Sequence, residues 1–180
     1  MDLCEAYRKF SKDFFPHASI VADKFHVLRL LHTDLNRERK RTSGHLKKAT
    51  IGRALLKNGS KLPYEDKLEI KRYLDFHPKL QALYEAKEAL SRLYRIKRFD
   101  QAKRTFIFMC DEMSRSPYPE IRRLRKTLIR WQKEILNDWS YRVTNARAEG
   151  FNSKAKLTIK RAYGVRTFNN YRLRVLDACS

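Results

Sequence analysis

A chain of 180 residues, 42% of them hydrophobic, is long enough to bury a core and too apolar to be a disordered tail. Lys and Arg number 41 against 20 acids, a net charge of +21, which points to a polyanionic partner. The cations are spread along the whole chain, which favours nucleic acid over a membrane surface. There is no apolar run of about 18 residues to span a membrane, no evident signal peptide, and no disulfide or zinc spacing among Cys4, Cys110 and Cys179.

Only five Gly and five Pro punctuate the sequence, so long helices are expected. Leu3, Ala6, Tyr7, Phe10 and Phe14 recur at helical spacing and predict a first amphipathic helix that ends before Pro16. Ala18–Ala22 is short, apolar and partly β-branched, and reads as a strand. Asp23 follows it, and a helical period through Val27, Leu28, Leu31 and Leu35 predicts a helix over Phe25–Arg41. Helices are then predicted from Leu46 to Lys57, from Pro63, from Pro78 and from Asp100 to Met113. Ile121, Leu124, Leu128, Trp131, Ile135 and Trp139 form a further stripe, read like the others as core packing. Arg122, Arg123, Arg125, Lys126 and Arg130 are a solvated face by default, with phosphate contact as a second role. Near the end, Thr144 or Asn145 can cap a helix whose buried stripe is Ala148, Phe151, Ala155, Ile159 and Ala162. Gly164 can end that helix, and Thr167 can cap a last one bearing Phe168, Tyr171, Val175 and Leu176.

Three places could carry chemistry. Asp23 and His26 put an acid at the end of the predicted strand with an imidazole three residues on; the ordinary reading is a helix cap beside a half-buried histidine. Glu149 is a lone acid on a helix rich in Lys, Arg, Asn and Ser. It is either a surface ion-pair partner of Lys156 or Arg142, or a ligand for a hard divalent ion beside a phosphate backbone. Asp2 stands before the first helix, where the helix dipole alone would favour an acid. No glycine-rich phosphate loop, Cys/His zinc cluster or serine nucleophile elbow is present.

Three segments then carry a family resemblance. They are Phe15-Pro16-His17-Ala18-Ser19-Ile20-Val21-Ala22-Asp23-Lys24-Phe25-His26-Val27, Ala148-Glu149-Gly150-Phe151-Asn152-Ser153-Lys154-Ala155-Lys156, and Lys160-Arg161-Ala162-Tyr163-Gly164 with the Asn-Tyr-Arg-Leu-Arg that follows. In order and separation they resemble the carboxy-terminal part of bacterial insertion-sequence transposases of the Asp-Asp-Glu class, nearest the ISL-three family.

The resemblance implies a mainly α chain: a partial ribonuclease H-like α/β catalytic core (1–41 and 143–180) interrupted by a large all-helical insertion (42–142). It implies DNA transposition by metal-dependent phosphoryl transfer with Mg²⁺ or Mn²⁺, acting on transposon ends and target DNA. Glu149 matches the third catalytic acid. Asp2 matches the second, with Asp23 and His26 as the signature after it; the alternative makes Asp23 the second acid. Asn152, Lys154, Lys156, Lys160 and Arg161 would face nucleic acid. The strand bearing the first catalytic Asp has no counterpart, which implies a truncated, inactive fragment with uncovered apolar faces prone to self-association. The resemblance also implies a cytoplasmic, nucleoid-associated bacterial protein with no small-molecule substrate. The other class of reading is a non-catalytic basic nucleic-acid-binding protein derived from a transposase.

Overall fold

The computed structural model describes residues 1–43, 49–142, 146–162 and 167–179. They fall into two compact units, Met1–Arg142 and Val143–Ser180. Both are helical, and no strand occurs among the described residues.

The first unit opens with α1 (Glu5–Phe14). None of its residues is buried, and Tyr7, Phe10 and Phe14 are exposed, so the predicted stripe is not core here. Arg8 anchors the helix. Its Nε donates to Glu134 Oε1 at 2.8 Å, its Nη2 lies 2.8 Å from the same oxygen, and its guanidinium covers the Trp131 ring at 4.8 Å.

The predicted strand Ala18–Ala22 is corrected: the segment carries no ladder. Its backbone groups are nonetheless engaged. The Met1 amine donates to Val21 O at 2.7 Å, and Asp23 N donates to Met1 O at 2.7 Å. Together these make one rung of parallel pairing, too little to count as a strand. Ala22 N donates to Glu134 O at 2.8 Å, and Asn137 Nδ2 donates to Ile20 O at 2.7 Å. β-branched content predicted an extended backbone, but a strand needs a partner strand, and here the partners are a helix and one residue.

The helix predicted over Phe25–Arg41 is two helices, α2 (Lys24–Leu28) and α3 (His32–Ser43). The turn between them lets Val27, Leu31 and Leu35 all reach the core. Next comes α4 (Ala49–Leu56); the predicted start at Leu46 lies outside the described residues. Asn58 caps a 3₁₀ turn (Gly59–Lys61) by accepting from Ser60 N at 3.0 Å. Pro63 caps α5 (Tyr64–Asp75) and is not its first helical residue. Pro78 does open α6 (Pro78–Leu93), as expected of a residue without an N–H to leave unpaired. Then follow α7 (Phe99–Ser114), α8 (Pro119–Arg130) and α9 (Gln132–Tyr141). The stripe Ile121 to Trp139 is buried as predicted, but it spans two helices that meet at Trp131.

These helices share one core, in which Leu80, Leu83, Leu90, Leu93, Leu128 and Ile135 are fully buried. Each such side chain contributes about 1.5–3 kcal/mol by leaving water. Residues 1–41 join it through Ala22, Val27, Leu31 and Leu35. Lys87 is a buried cation within it. Its Nζ donates to Leu55 O at 2.8 Å and Lys57 O at 2.5 Å, and pairs with Glu88 at 2.7 Å. It thereby satisfies carbonyls at the end of α4 that the helix leaves orphaned. Burial pushes its pKa down, and Glu88 opposes that shift.

The second unit is a pair of packed helices, α10 (Ala146–Arg161) and α11 (Phe168–Cys179). Thr167 caps α11: its Oγ1 accepts from Asn170 N at 3.4 Å. The predicted caps at Thr144 or Asn145 and the stop at Gly164 lie outside the described residues. The buried stripe predicted for α10 is corrected, for Phe151 and Ile159 are exposed; on α11, Phe168 and Leu176 are exposed too. Two helices cover only one side of each other, so an apolar stripe wider than that contact stays open.

Candidate metal centre

In the first unit the chain brings together three residues that the sequence separates. Asp2, Asp23 and His26 each offer a ligand atom, and these atoms all lie within 4.8 Å of one another. His26 Nε2 is 2.9 Å from Asp2 Oδ1 and 4.0 Å from Asp23 Oδ2. The rung between Met1 and the 21–23 segment sets this distance, because it seats Asp2 beside the start of α2. Asp23 also caps α2: its Oδ1 accepts from Phe25 N at 2.8 Å. The cap predicted for Asp23 and its place in a site are therefore compatible roles of two different oxygens.

Glu134 holds both arms of the cluster. Its side chain binds Arg8 of α1, just after Asp2, and its carbonyl accepts from Ala22 N, just before Asp23. Beyond Asp23 lie Tyr94, Asp138 and Lys24. The ammonium of Lys24 sits 5.2 Å over the Tyr94 ring. Burial pushes the Asp138 carboxyl up; Lys24 pulls it down and Asp23 pushes it further up. Burial, then Asp138 and Asp23, keep the Tyr94 hydroxyl protonated well above its ordinary range.

The donor set fits a hard divalent ion. Ligand distances of about 2.1 Å allow two donors on one ion to stand up to about 4.2 Å apart; His26 Nε2 stands 2.9 and 4.0 Å from the two carboxylates, and the carboxylates stand within 4.8 Å of each other. The side chains of Asp2 and His26 are 50% and 39% exposed, leaving one side open for the waters that such ions retain. The two carboxylates suit Mg²⁺ or Mn²⁺ better than a thiolate-seeking metal, with the imidazole beside them.

In the second unit, Glu149 lies in the first turn of α10 and is exposed. Among the described residues of its unit it makes no ion pair, so the predicted pairing with Lys156 is not found; in the first unit, Arg142 Nη2 donates to Lys97 O at 3.0 Å. Asn152, Lys154, Lys156, Lys160 and Arg161 are all exposed along the same helix. A Cβ added at Gly150 would meet nothing within 4 Å, so packing inside this unit does not require glycine beside Glu149. Sequence reasoning missed Glu134, whose position among apolar neighbours on α9 was its only signal.

A transposase family model, that of the ISL-three group of the Asp-Asp-Glu class, matches residues 1–175. The chain belongs to this family. Neither a curated protein nor a solved structure matches it. Transposases of this class act on DNA and use divalent metal ions. No helix among the described residues is long and apolar enough to cross a membrane.

Proposed function

We propose that this chain serves DNA transposition by Mg²⁺- or Mn²⁺-dependent phosphoryl transfer, with Asp2, Asp23 and Glu149 as metal-binding carboxylates. The convergence of Asp2, Asp23 and His26 within 4.8 Å is the observation that carries the reading. Asp2 is the second acid of the family pattern and Glu149 the third. Asp23, the alternative second acid, stands next to Asp2 and shares its ion. His26 is a positioning residue: its Nε2 lies 2.9 Å from Asp2 Oδ1 and orients that carboxylate. An ion held there would polarise a phosphoryl oxygen and acidify the attacking water or 3′-hydroxyl. Lys154, Lys156, Lys160 and Arg161, with Asn152, hold the DNA backbone beside Glu149 and neutralise its charge.

The same reading takes residues 1–41 and 143–180 as ribonuclease H-like core and 42–142 as a helical insertion. It places the protein with the bacterial nucleoid, and it makes the exposed apolar stripe of α1 a surface for self-association. These 180 residues supply two of the three acids of the family pattern, Asp2 and Glu149. The chain alone therefore binds ion and DNA without joining strands.

The test is a joining assay with a 3′-hydroxyl duplex end, a plasmid target and Mn²⁺, run beside DNA-binding measurements. The expected result is metal-enhanced DNA binding that Glu149→Gln reduces, with no joined product. Joined product from the chain alone overturns the claim of an incomplete acid set. DNA binding indifferent both to Mn²⁺ and to Glu149→Gln replaces the reading with a non-catalytic nucleic-acid-binding protein.

A further inference from the structure

The first unit sorts its charges by sign on one face. α3 carries two acids, Asp34 and Glu38, and both are buried. α8 carries one, Glu120, whose side chain is 18% exposed and points to Lys79 at 2.8 Å. Lys79 in turn pairs with Glu38 at 3.1 Å. The acids of the two helices are thus consumed inside. Most of their cations point outward: Arg37, Lys40 and Arg41 on α3, and Arg122, Arg123, Lys126 and Arg130 on α8 are exposed, while Arg39 is half-buried and Arg125 donates inward to Cys110 O. Elsewhere in the unit the signs mix. α5 exposes Glu65 and Glu69 beside Lys67 and Lys71, and α7 exposes Asp111 and Glu112 at one end of the helix that carries Lys103 and Arg104.

Two of these cations are fixed in place. Arg123 Nη2 donates to both oxygens of Asp34 at 2.9 Å, and Arg37 Nη1 donates to Oδ1 at 3.3 Å. Asp34 is only 10% exposed, while Arg37 and Arg123 are 67% and 63% exposed. One buried carboxylate therefore holds two guanidiniums from helices far apart in sequence, and leaves a net positive charge whose outer N–H groups face solvent. Each guanidinium has five donors in a fixed fork, so binding Asp34 through one nitrogen leaves most of them available. Ordering two arginines in advance removes part of the entropy that loose side chains lose on binding. A merely solvated face has no reason to spend buried acids on positioning its cations.

We propose that the outward face of α3 and α8 is a docking surface for the phosphodiester backbone of duplex DNA, with Arg37 and Arg123 at its centre. Lys126 and Arg130 extend it along α8, where four residues advance about 6 Å. The choice of DNA as the polyanion rests on the transposase reading. The surface itself lies apart from Asp2, Asp23 and Glu149 in sequence and needs no metal, so it reads phosphates and carries no base specificity.

The experiment measures binding of the full chain to a fluorescent duplex of arbitrary sequence, in EDTA, from about 0.05 to 0.3 M salt. Lys126→Gln/Arg130→Gln removes two cations without touching a buried acid, and Arg37→Gln/Arg123→Gln removes the fixed pair. Lys103→Gln/Arg104→Gln on α7 removes the same charge elsewhere. Circular dichroism confirms that each variant is folded. The first pair should weaken binding several-fold at 0.1 M salt and lower the log–log salt slope by about 0.9 for each phosphate no longer neutralised, while the α7 pair leaves the slope in place. Equal losses from the α8 and α7 pairs would overturn the surface and leave only net charge. Tighter binding to anionic phospholipid vesicles or to single-stranded RNA than to the duplex would overturn the choice of partner. Because EDTA removes the metal, failure of the metal centre leaves this result unchanged.

Discussion

Replacing Arg8 by Met tests how the candidate site is held together. The Glu134 side chain is 3% exposed and its Oε2 has no hydrogen-bond partner, so Arg8 is its principal source of compensating charge. Taking away one partner of a buried pair leaves an uncompensated charge and costs about 3–5 kcal/mol. The guanidinium also covers Trp131 at 4.8 Å, an interaction of about 0.5–1 kcal/mol. α1 buries none of its own residues, so little else resists its detachment, and Asp2 would keep only the Met1 rung to seat it as the helix loosens. Both tryptophans, Trp131 and Trp139, are buried in the first unit, so the urea transition followed by tryptophan fluorescence belongs to that unit. The expected loss is about 3–5 kcal/mol, and Arg8→Met/Glu134→Leu should recover most of it because an apolar pair leaves no buried charge. A loss below about 1 kcal/mol, or a double variant as unstable as the single one, would refute the anchoring role assigned to Glu134.

Two further outcomes are specific. Burial, with Arg29 and then Lys87 nearby, lowers the pKa of His32 below 6.5. The unfolded chain therefore holds the extra proton, so His32 favours the fold in full above about pH 6.5 and that contribution falls away as pH drops below it. Relative to the wild type, His32→Gln should flatten the acid side of the stability profile; an unchanged difference between pH 7.5 and 5.5 would count against it. In the second unit, Gly150→Ala should stabilise α10 by about 1 kcal/mol, since a Cβ there meets nothing and alanine favours helix. Thermal melts followed by circular dichroism would show it. If the variant also binds DNA more weakly, a backbone approaches Gly150 closely in the complex.

How much of this was legible in the sequence depends on whether a feature is local. The stripe from Ile121 to Trp139 could be read because periodicity is a local signal and those residues are core. The break at Trp131 could not, because the stripe runs through it without a Gly or Pro. Asp23 as a helix cap follows from residue type and position. The strand at Ala18–Ala22 was misread because β-branched residues predict an extended backbone but not its neighbours. Spacing alone could not show the meeting of Asp2 with His26, which depends on Met1 pairing with Val21 and Asp23; only the family pattern put the two in one site. Asp34 and Arg123 are 89 positions apart, and no spacing rule joins them. Glu149 is different again: its spacing alone reads as a surface ion-pair partner, and the family pattern around it is what favours the ligand.

The central claim is that Asp2 and Asp23, oriented by His26, seat a divalent ion. Mn²⁺ titration of the full chain by electron paramagnetic resonance, counting free ion, addresses it directly. The account predicts saturable binding that weakens at least about tenfold in Asp2→Asn and in Asp23→Asn, less in His26→Gln, and not at all in Glu65→Gln, an exposed acid elsewhere in the unit. Mn²⁺ binding that is absent, or that Glu65→Gln weakens as much as Asp2→Asn does, would contradict it.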